Sequence, residues 1–209
     1  MAEWTRGLHR IVTIPAVYDA IQRALGGPQA RIGVARRLFA DAEGKSVLEV
    51  GCGPGTWAPY LASARAYLGV DWNPAHIELA KRNFGRETTR FICGDLNDPA
   101  TIPNDSLFDI VVGIGILHHL DDEIADRVMQ RIATLLTPTG HFIGLEPVYH
   151  PRQNPIAKLL KFCDSGRNIR TEAGYRGLMD PAFGQIQTEI VTDLMRVPYS
   201  HCILRGSRG

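Results

Sequence analysis

Nine residues constrain this chain more than any others. Val47-Leu-Glu-Val-Gly-Cys-Gly-Pro-Gly55 is an apolar run that passes directly into three glycines at alternate positions. Such a run, closed by Gly and Pro, reads as a buried strand whose end turns sharply and lets main chain approach a ligand closely. The rhythm then repeats. Ser46 to Val50 is the first predicted strand, Ala66 to Asp71 the second, Arg90 to Gly94 the third, Phe108 to Gly113 the fourth and Gly140 to Glu146 the fifth. Helical patterns separate them. Asn73-Pro74 opens a helix to about Phe84, and Asp121-Asp122 opens one with Ile124, Val128, Ile132 and Leu135 on a single face, ended by Thr137-Pro-Thr-Gly140. Strands alternating with helices make an α/β fold around a parallel sheet.

The 209 residues suit a single domain. Residues 1–44 read as a helical cap in two pieces broken at Gly26-Gly-Pro28, and 45–146 as the core. Residues 147–182 form an acceptor-side insertion, helical in part, and 183–209 hold two final strands, with Pro198 near the start of the second. With 23 basic against 22 acidic residues, the chain lacks the basic excess of a general nucleic-acid or anionic-membrane binder. Its longest apolar run, Ile110 to Leu117, is far short of a membrane span. Met1 to Arg6 carries charge without an apolar stretch, so no signal peptide is expected and the cytoplasm is the expected compartment. Cys52, Cys93, Cys163 and Cys202 have no metal-ligand spacing, so free thiols and no metal site are expected.

The end of the first strand of an open α/β sheet binds ligands, and Asp71, twenty residues after Gly51, stands where a carboxylate can hold ribose hydroxyls. A dinucleotide is disfavoured. The G-x-G-x-x-G spacing fails at Thr56, and Glu49 would meet a pyrophosphate at short range. A ligand with a cationic centre or an amino group tolerates that acid.

Four elements in order then make the chain resemble the class I S-adenosylmethionine-dependent methyltransferases, in particular the small-molecule enzymes of the type 11/type 12 kind. They are Glu49-x-Gly-x-Gly-x-Gly55 with Asp71, then Gly94-Asp95-Leu96, then Phe108-Asp-Ile-Val followed by Leu117-His-His-Leu120, and Leu136-x-Pro-x-Gly140. The resemblance covers about residues 45–146. It implies a Rossmann-like, seven-stranded, mostly parallel sheet with an antiparallel last strand and helices on both faces. It implies S-adenosyl-L-methionine as cofactor and S-adenosyl-L-homocysteine as product. Gly51 and Gly53 would line the methionine part, with Gly55 also among the cofactor contacts and the backbone groups of Gly113 and Ile114 closing the pocket. Asp71 would hold the ribose, with Trp72 beside it, while Asp95 would bind the adenine amino group and Leu96 pack on the ring. Glu49 would order the loop or reach the cofactor's amino group; a salt bridge to an arginine is the alternative.

Methyl transfer needs an aligned acceptor, exclusion of water and, for a hydroxyl, a general base. His118 and His119 follow the fourth strand and suit that task. At most one of two adjacent residues can face the methyl group. The alternative is that one caps the next helix and the other packs on the surface. Glu146, Tyr149 and His150 at the fifth-strand end are candidate acceptor contacts. Lys161, Arg167, Arg170 and Arg176 form either a solvated face or an anion-binding lid, with Arg167 and Arg170 the candidate substrate contacts. Trp4, His9, Tyr18 and Gln22 in the cap carry no specific motif.

Amino-group methylators of adenine and glutamine resemble one another in an Asn/Asp-Pro-Pro-Tyr/Phe segment, where this chain has Gly113-Ile-Gly-Ile-Leu-His118. The leading reading is therefore methyl transfer to a hydroxyl of a small molecule. An RNA or protein methyltransferase and a non-catalytic binder of the cofactor remain open alternatives.

Overall fold

The computed structural model describes residues 27–151, 153–154, 168–194 and 199–209. The first helical piece of the cap, Trp4, His9, Tyr18, Gln22, Lys161, Cys163, Arg167 and Pro198 lie outside the described residues. The elements, in order, are α1 (Gly27–Leu38), β1 (Ser46–Val50), a 3-10 turn (Ala58–Leu61), β2 (Ala66–Asp71), α2 (Pro74–Phe84) and β3 (Thr89–Cys93). There follow β4 (Phe108–Ile114), a second 3-10 turn (Leu117–His119), α3 (Asp122–Thr134), β5 (Leu136–Tyr149), β6 (Arg170–Thr171), α4 (Glu172–Met179), β7 (Gln185–Val191) and β8 (His201–Ser207). The helix starts are chemically explicit. Asn73 Oδ1 accepts from the Ala75 N–H at 2.9 Å with Pro74 in the first turn, and Asp121 Oδ1 accepts from the Ile124 N–H at 2.9 Å.

Strand order is β3-β2-β1-β4-β5-β8-β7, with β6 paired to β5 off this path. Strands β1 to β5 are mutually parallel, and β8 runs antiparallel to both β5 and β7. The expected seven strands and antiparallel last strand are thus present, and the two-residue β6 adds an eighth. Because β1 is covered on both faces, its neighbours Val47 and Leu48 enter opposite apolar layers. One layer joins Leu48, Val111 and Phe142 to Met129 and Ile132 of α3 and Leu178 of α4. The other joins Val47, Ile110 and Val112 to Leu38 of α1 and Ile77 of α2. No helix among the described residues is long and apolar enough to cross a membrane.

Two boundaries differ from the sequence reading. Thr137-Pro-Thr-Gly140 does not turn between helix and strand; it bulges inside β5, because Phe108 pairs with Leu136 while Ile110 pairs with His141. Gly140 permits that crowding, since a Cβ there would lie 2.9 Å from the Phe108 carbonyl oxygen. At its other end β5 continues past Glu146 to Tyr149, so the insertion opens at His150 and not at 147. The cause is non-local: β8 pairs up to Pro147 and β6 pairs Val148 and Tyr149.

Strand order reverses between β1 and β4, and the crevice outside their carboxyl ends is the ligand position of such sheets.

Candidate active site

The glycine loop closes β1 onto β2. Gly51, Gly53 and Gly55 have φ of 69°, 52° and 80°, a region that favours glycine, and the Gly51 N–H donates to the Val70 carbonyl at 2.8 Å. Their surroundings differ. A Cβ on Gly53 would meet nothing within 4 Å, so the crevice is open above it. One on Gly51 would stand 2.6 Å from Ile116 Cδ1, which places Ile116 over the loop. One on Gly55 would strike Phe84 at 2.9 Å and Ala80 at 3.2 Å. Gly55, expected among the cofactor contacts, packs the loop on α2.

Asp71 ends β2 with its carboxylate shared between two main-chain donors. Oδ2 accepts from the Gly53 N–H at 2.9 Å and Oδ1 from the Asn73 N–H at 2.8 Å, with His76 Nδ1 3.7 Å from Oδ1. The acid therefore stands beside the open face of Gly53. Trp72, next to it, is 74% exposed, the most exposed of the large apolar side chains described. Asp95 is exposed and accepts from the Asn97 N–H at 2.9 Å. Leu96, expected to pack on a ring, is 5% exposed and joins the core layer of Leu48 and Met129, so main chain is what it offers the crevice. Arg131 of α3 holds that segment from behind, donating to the carbonyls of Leu96 at 3.4 Å and Ile102 at 2.5 Å. Gly113 and Ile114 close β4 opposite, and the Gly115 N–H donates to the Leu145 carbonyl at 2.9 Å.

Glu49 lies beneath this loop, 1% exposed, with the Tyr67 hydroxyl donating to its Oε2 at 2.5 Å. Among the described residues no arginine pairs with it. Burial pushes its carboxyl up to about 8, against the pull of the Tyr67 bond, and the Asp71 charge adds to the rise. Burial and the neighbouring Glu49 also raise the Tyr67 phenol.

Across the rim, the Leu117–His119 turn is built around a buried acid. Glu146 is fully buried at 0% exposure. Its Oε1 accepts from the N–H groups of Ile116 (2.9 Å) and Leu117 (2.8 Å), and its Oε2 from the His118 N–H (3.3 Å). His118 Nδ1 lies 2.7 Å from the same Oε2. A carboxylate there accepts, which assigns the ring proton to Nδ1 and makes Nε2 the basic nitrogen. His119 is exposed and its ring lies 4.0 Å from that of His118. Neither histidine caps α3, since Asp121 does so.

Arg170 completes the turn, and its donors are spent there. Its Nε and one terminal nitrogen donate to Asp122 Oδ1 (3.0 and 2.6 Å), and that nitrogen also donates to the Leu120 carbonyl (2.9 Å). The other terminal nitrogen donates to the carbonyls of Leu117 (2.8 Å) and Asn168 (3.1 Å). All five guanidinium donors are thus engaged, and no donor remains for a substrate anion. The Asn168 N–H adds a bond to the His118 carbonyl at 3.0 Å. Arg176 lies on the surface beside Asp180.

Tyr149 is half-buried and paired with Thr171, and His150 Nε2 stands 3.2 Å from Ser200 Oγ. Ser200 and His201, buried at the start of β8, reach this rim because β8 returns antiparallel beside β5. The sequence reading missed both, as it missed Tyr67 and Ile116. For Tyr67 there was a signal: two residues before the register partner of Glu49, it shares that residue's sheet face.

Residues 47–140 match the family model described as a methyltransferase domain. The fatty-acid O-methyltransferase of Mycolicibacterium smegmatis is 36% identical over 107 residues, which is 50% of this chain and 38% of that protein. The phthiotriol/phenolphthiotriol dimycocerosates methyltransferase of Mycobacterium leprae is 35% identical over 104 residues, 48% of this chain and 37% of that protein. The chain thus spans less than two-fifths of the length of these relatives. A TehB-like S-adenosylmethionine-dependent methyltransferase of Corynebacterium glutamicum superposes with a TM-score of 0.65 at 17% identity, covering 93% of this chain and 96% of the other, a likeness of fold.

Proposed function

We propose that this chain is a class I S-adenosylmethionine-dependent methyltransferase that transfers a methyl group to a small-molecule acceptor at a hydroxyl oxygen, with His118 as general base, a reading supported by the match of residues 47–140 to a methyltransferase-domain model. The crevice fits the cofactor. Space is open over Gly53, the Asp71 carboxylate borders it, and an exposed indole at Trp72 offers a flat apolar surface. Bound there, S-adenosylmethionine supplies a methyl group already activated by its sulfonium.

The observation that carries the choice of base is the 2.7 Å contact between His118 Nδ1 and Glu146. Glu146 fixes the tautomer and orientation of the imidazole, and His118 Nε2 takes the acceptor's proton as the new bond forms. Arg170 and Glu146 act as positioning residues, one holding carbonyls of the turn and the other its N–H groups. Tyr149, His150, Ser200 and His201 line the acceptor side. The name of the fatty-acid O-methyltransferase supports oxygen on a lipid-like molecule.

The test is transfer of labelled methyl from S-adenosylmethionine to a paired panel of hydroxylated lipids and fatty acids. A hydroxyl needs a base and a carboxylate does not. His118→Asn should lower transfer to the hydroxyl by about 10²–10⁴-fold while cofactor affinity holds. Transfer only to nitrogen, or to carboxylates at a rate untouched by His118→Asn, would overturn the proposal.

A further inference from the structure

Glu49 occupies a place that gives an anion little support. Its register neighbours are Gly69 on β2 and Val112 on β4. The layer on its face is apolar, with Val34, Ala35 and Leu38 from α1 and Leu145 from β5. The ionisable groups facing it are Tyr67 and Asp71 from β2 and Cys52 from the glycine loop, each of which is neutral or negative. Among the described residues no cation pairs with it. Yet it stands two residues before Gly51, under the crevice that the cofactor reading fills with a positively charged ligand.

Resting on that reading, we infer that Glu49 is the charge-sensing residue of the crevice: it keeps its proton when the crevice is empty or holds a neutral thioether, and releases it when a sulfonium occupies the site. The physics is that of a buried carboxyl with no cationic partner among the described residues. In a low-dielectric surround it stays neutral until an opposite charge arrives, and the arriving charge is the partner that makes ionisation favourable. The rise of its carboxyl to about 8 puts the change within the working pH range. Glu49 makes and breaks no bond to the methyl group. Its proton passes to solvent on loading and returns from solvent after transfer, when the sulfur has become neutral. The returning proton removes the attraction that held the loaded ligand, which favours exchange of the product for fresh cofactor.

The consequence is a pH-dependent preference between two ligands that differ by one methyl group and one charge. Titration calorimetry of the full chain with S-adenosylmethionine and with S-adenosylhomocysteine, from pH 6 to 8.5 in buffers of different ionisation enthalpy, reads it directly. The preference for the sulfonium should rise about tenfold per pH unit up to pH 8, with close to one extra proton released at pH 6.5. Glu49→Gln should flatten the ratio to within about twofold across the range; each ligand's own amino group titrates equally with both proteins. Tyr67→Phe, which removes the bond that favours the ionised form, should move the rise to higher pH, and it keeps the test intact should Glu49→Gln fail to fold. A flat ratio in the wild-type protein, or an unchanged slope in Glu49→Gln, would overturn the role of Glu49. Binding of neither compound would overturn the cofactor reading instead.

Discussion

Replacing Glu146 by Gln isolates what a single buried carboxylate does for the rim. The amide oxygen can keep the N–H groups of Ile116 and Leu117, which both point at Oε1. The amide nitrogen takes the place of Oε2, where it meets the His118 N–H and His118 Nδ1. Donor now faces donor at the main chain, and the charge-assisted bond to the ring is gone. That bond is worth about 1.5–3 kcal/mol, and a stranded N–H costs about 1–3 kcal/mol more. A loss of about 3–5 kcal/mol follows, a large part of the ~5–15 kcal/mol by which domains are stable. At about 2–4 °C per kcal/mol for a chain of this size, the melting temperature should fall on the order of 10 °C.

The same substitution makes a chemical prediction that stability alone would not. The new amide can satisfy Nδ1 only by donating to it, which drives the ring proton onto Nε2, the nitrogen proposed as base. Long-range ¹⁵N–¹H spectra of the imidazole should show the protonated nitrogen changing from Nδ1 to Nε2, and hydrogen exchange should quicken at the His118 amide. A melting temperature within 1 °C of wild type with the tautomer unchanged would refute the reasoning, because it would mean that Glu146 does not hold this ring.

Asp71→Asn should weaken S-adenosylmethionine binding by about 10–100-fold in calorimetry, one charged ribose contact being worth about 1.5–3 kcal/mol. Arg170→Lys keeps the charge but cannot reach two carbonyls and Asp122 together, so urea unfolding should show a loss of about 2–4 kcal/mol, with faster amide exchange from Leu117 to Leu120. Gly55→Ala should cost more than about 1 kcal/mol by the same measurement, since φ is 80° and the new methyl meets Phe84. Folding keeps the proton of Glu49 up to about pH 8, against an ordinary value of 4.5. Its contribution is therefore complete below pH 4.5 and lost as pH rises to 8. Glu49→Gln should remove on the order of 3 kcal/mol of that decline between pH 5.5 and 8, read as the difference in urea midpoints.

What could be read from the chain alone, and what could not, divides by the range of the interaction. Strands β1 and β2 fall where expected because apolar runs closed by glycine or aspartate are local statements. The ends of β5 do not, because β4 pairs its Leu136 end while β8 and β6 set the other end from about 54 and 22 residues away. Gly53 and Gly55 have the same spacing and similar dihedrals, yet one borders open space and the other packs on Phe84, a distinction made by a helix later in the chain. Arg170 gave the clearest error. In a run of charges it looked like a solvated residue or an anion clamp, and its five donors are spent on the turn that carries His118. Nothing in its neighbours announces this, because the acceptors are mostly main-chain carbonyls, which every sequence possesses. The site is a set of main-chain turns placed by local glycines and held by distant charges, the buried Asp71 for the glycine loop and the buried Glu146 and part-buried Arg170 for the histidine turn. The positions proposed to face the ligand are therefore the legible ones, and the charges that fix their geometry are where substitutions should have effects larger than the motif predicts.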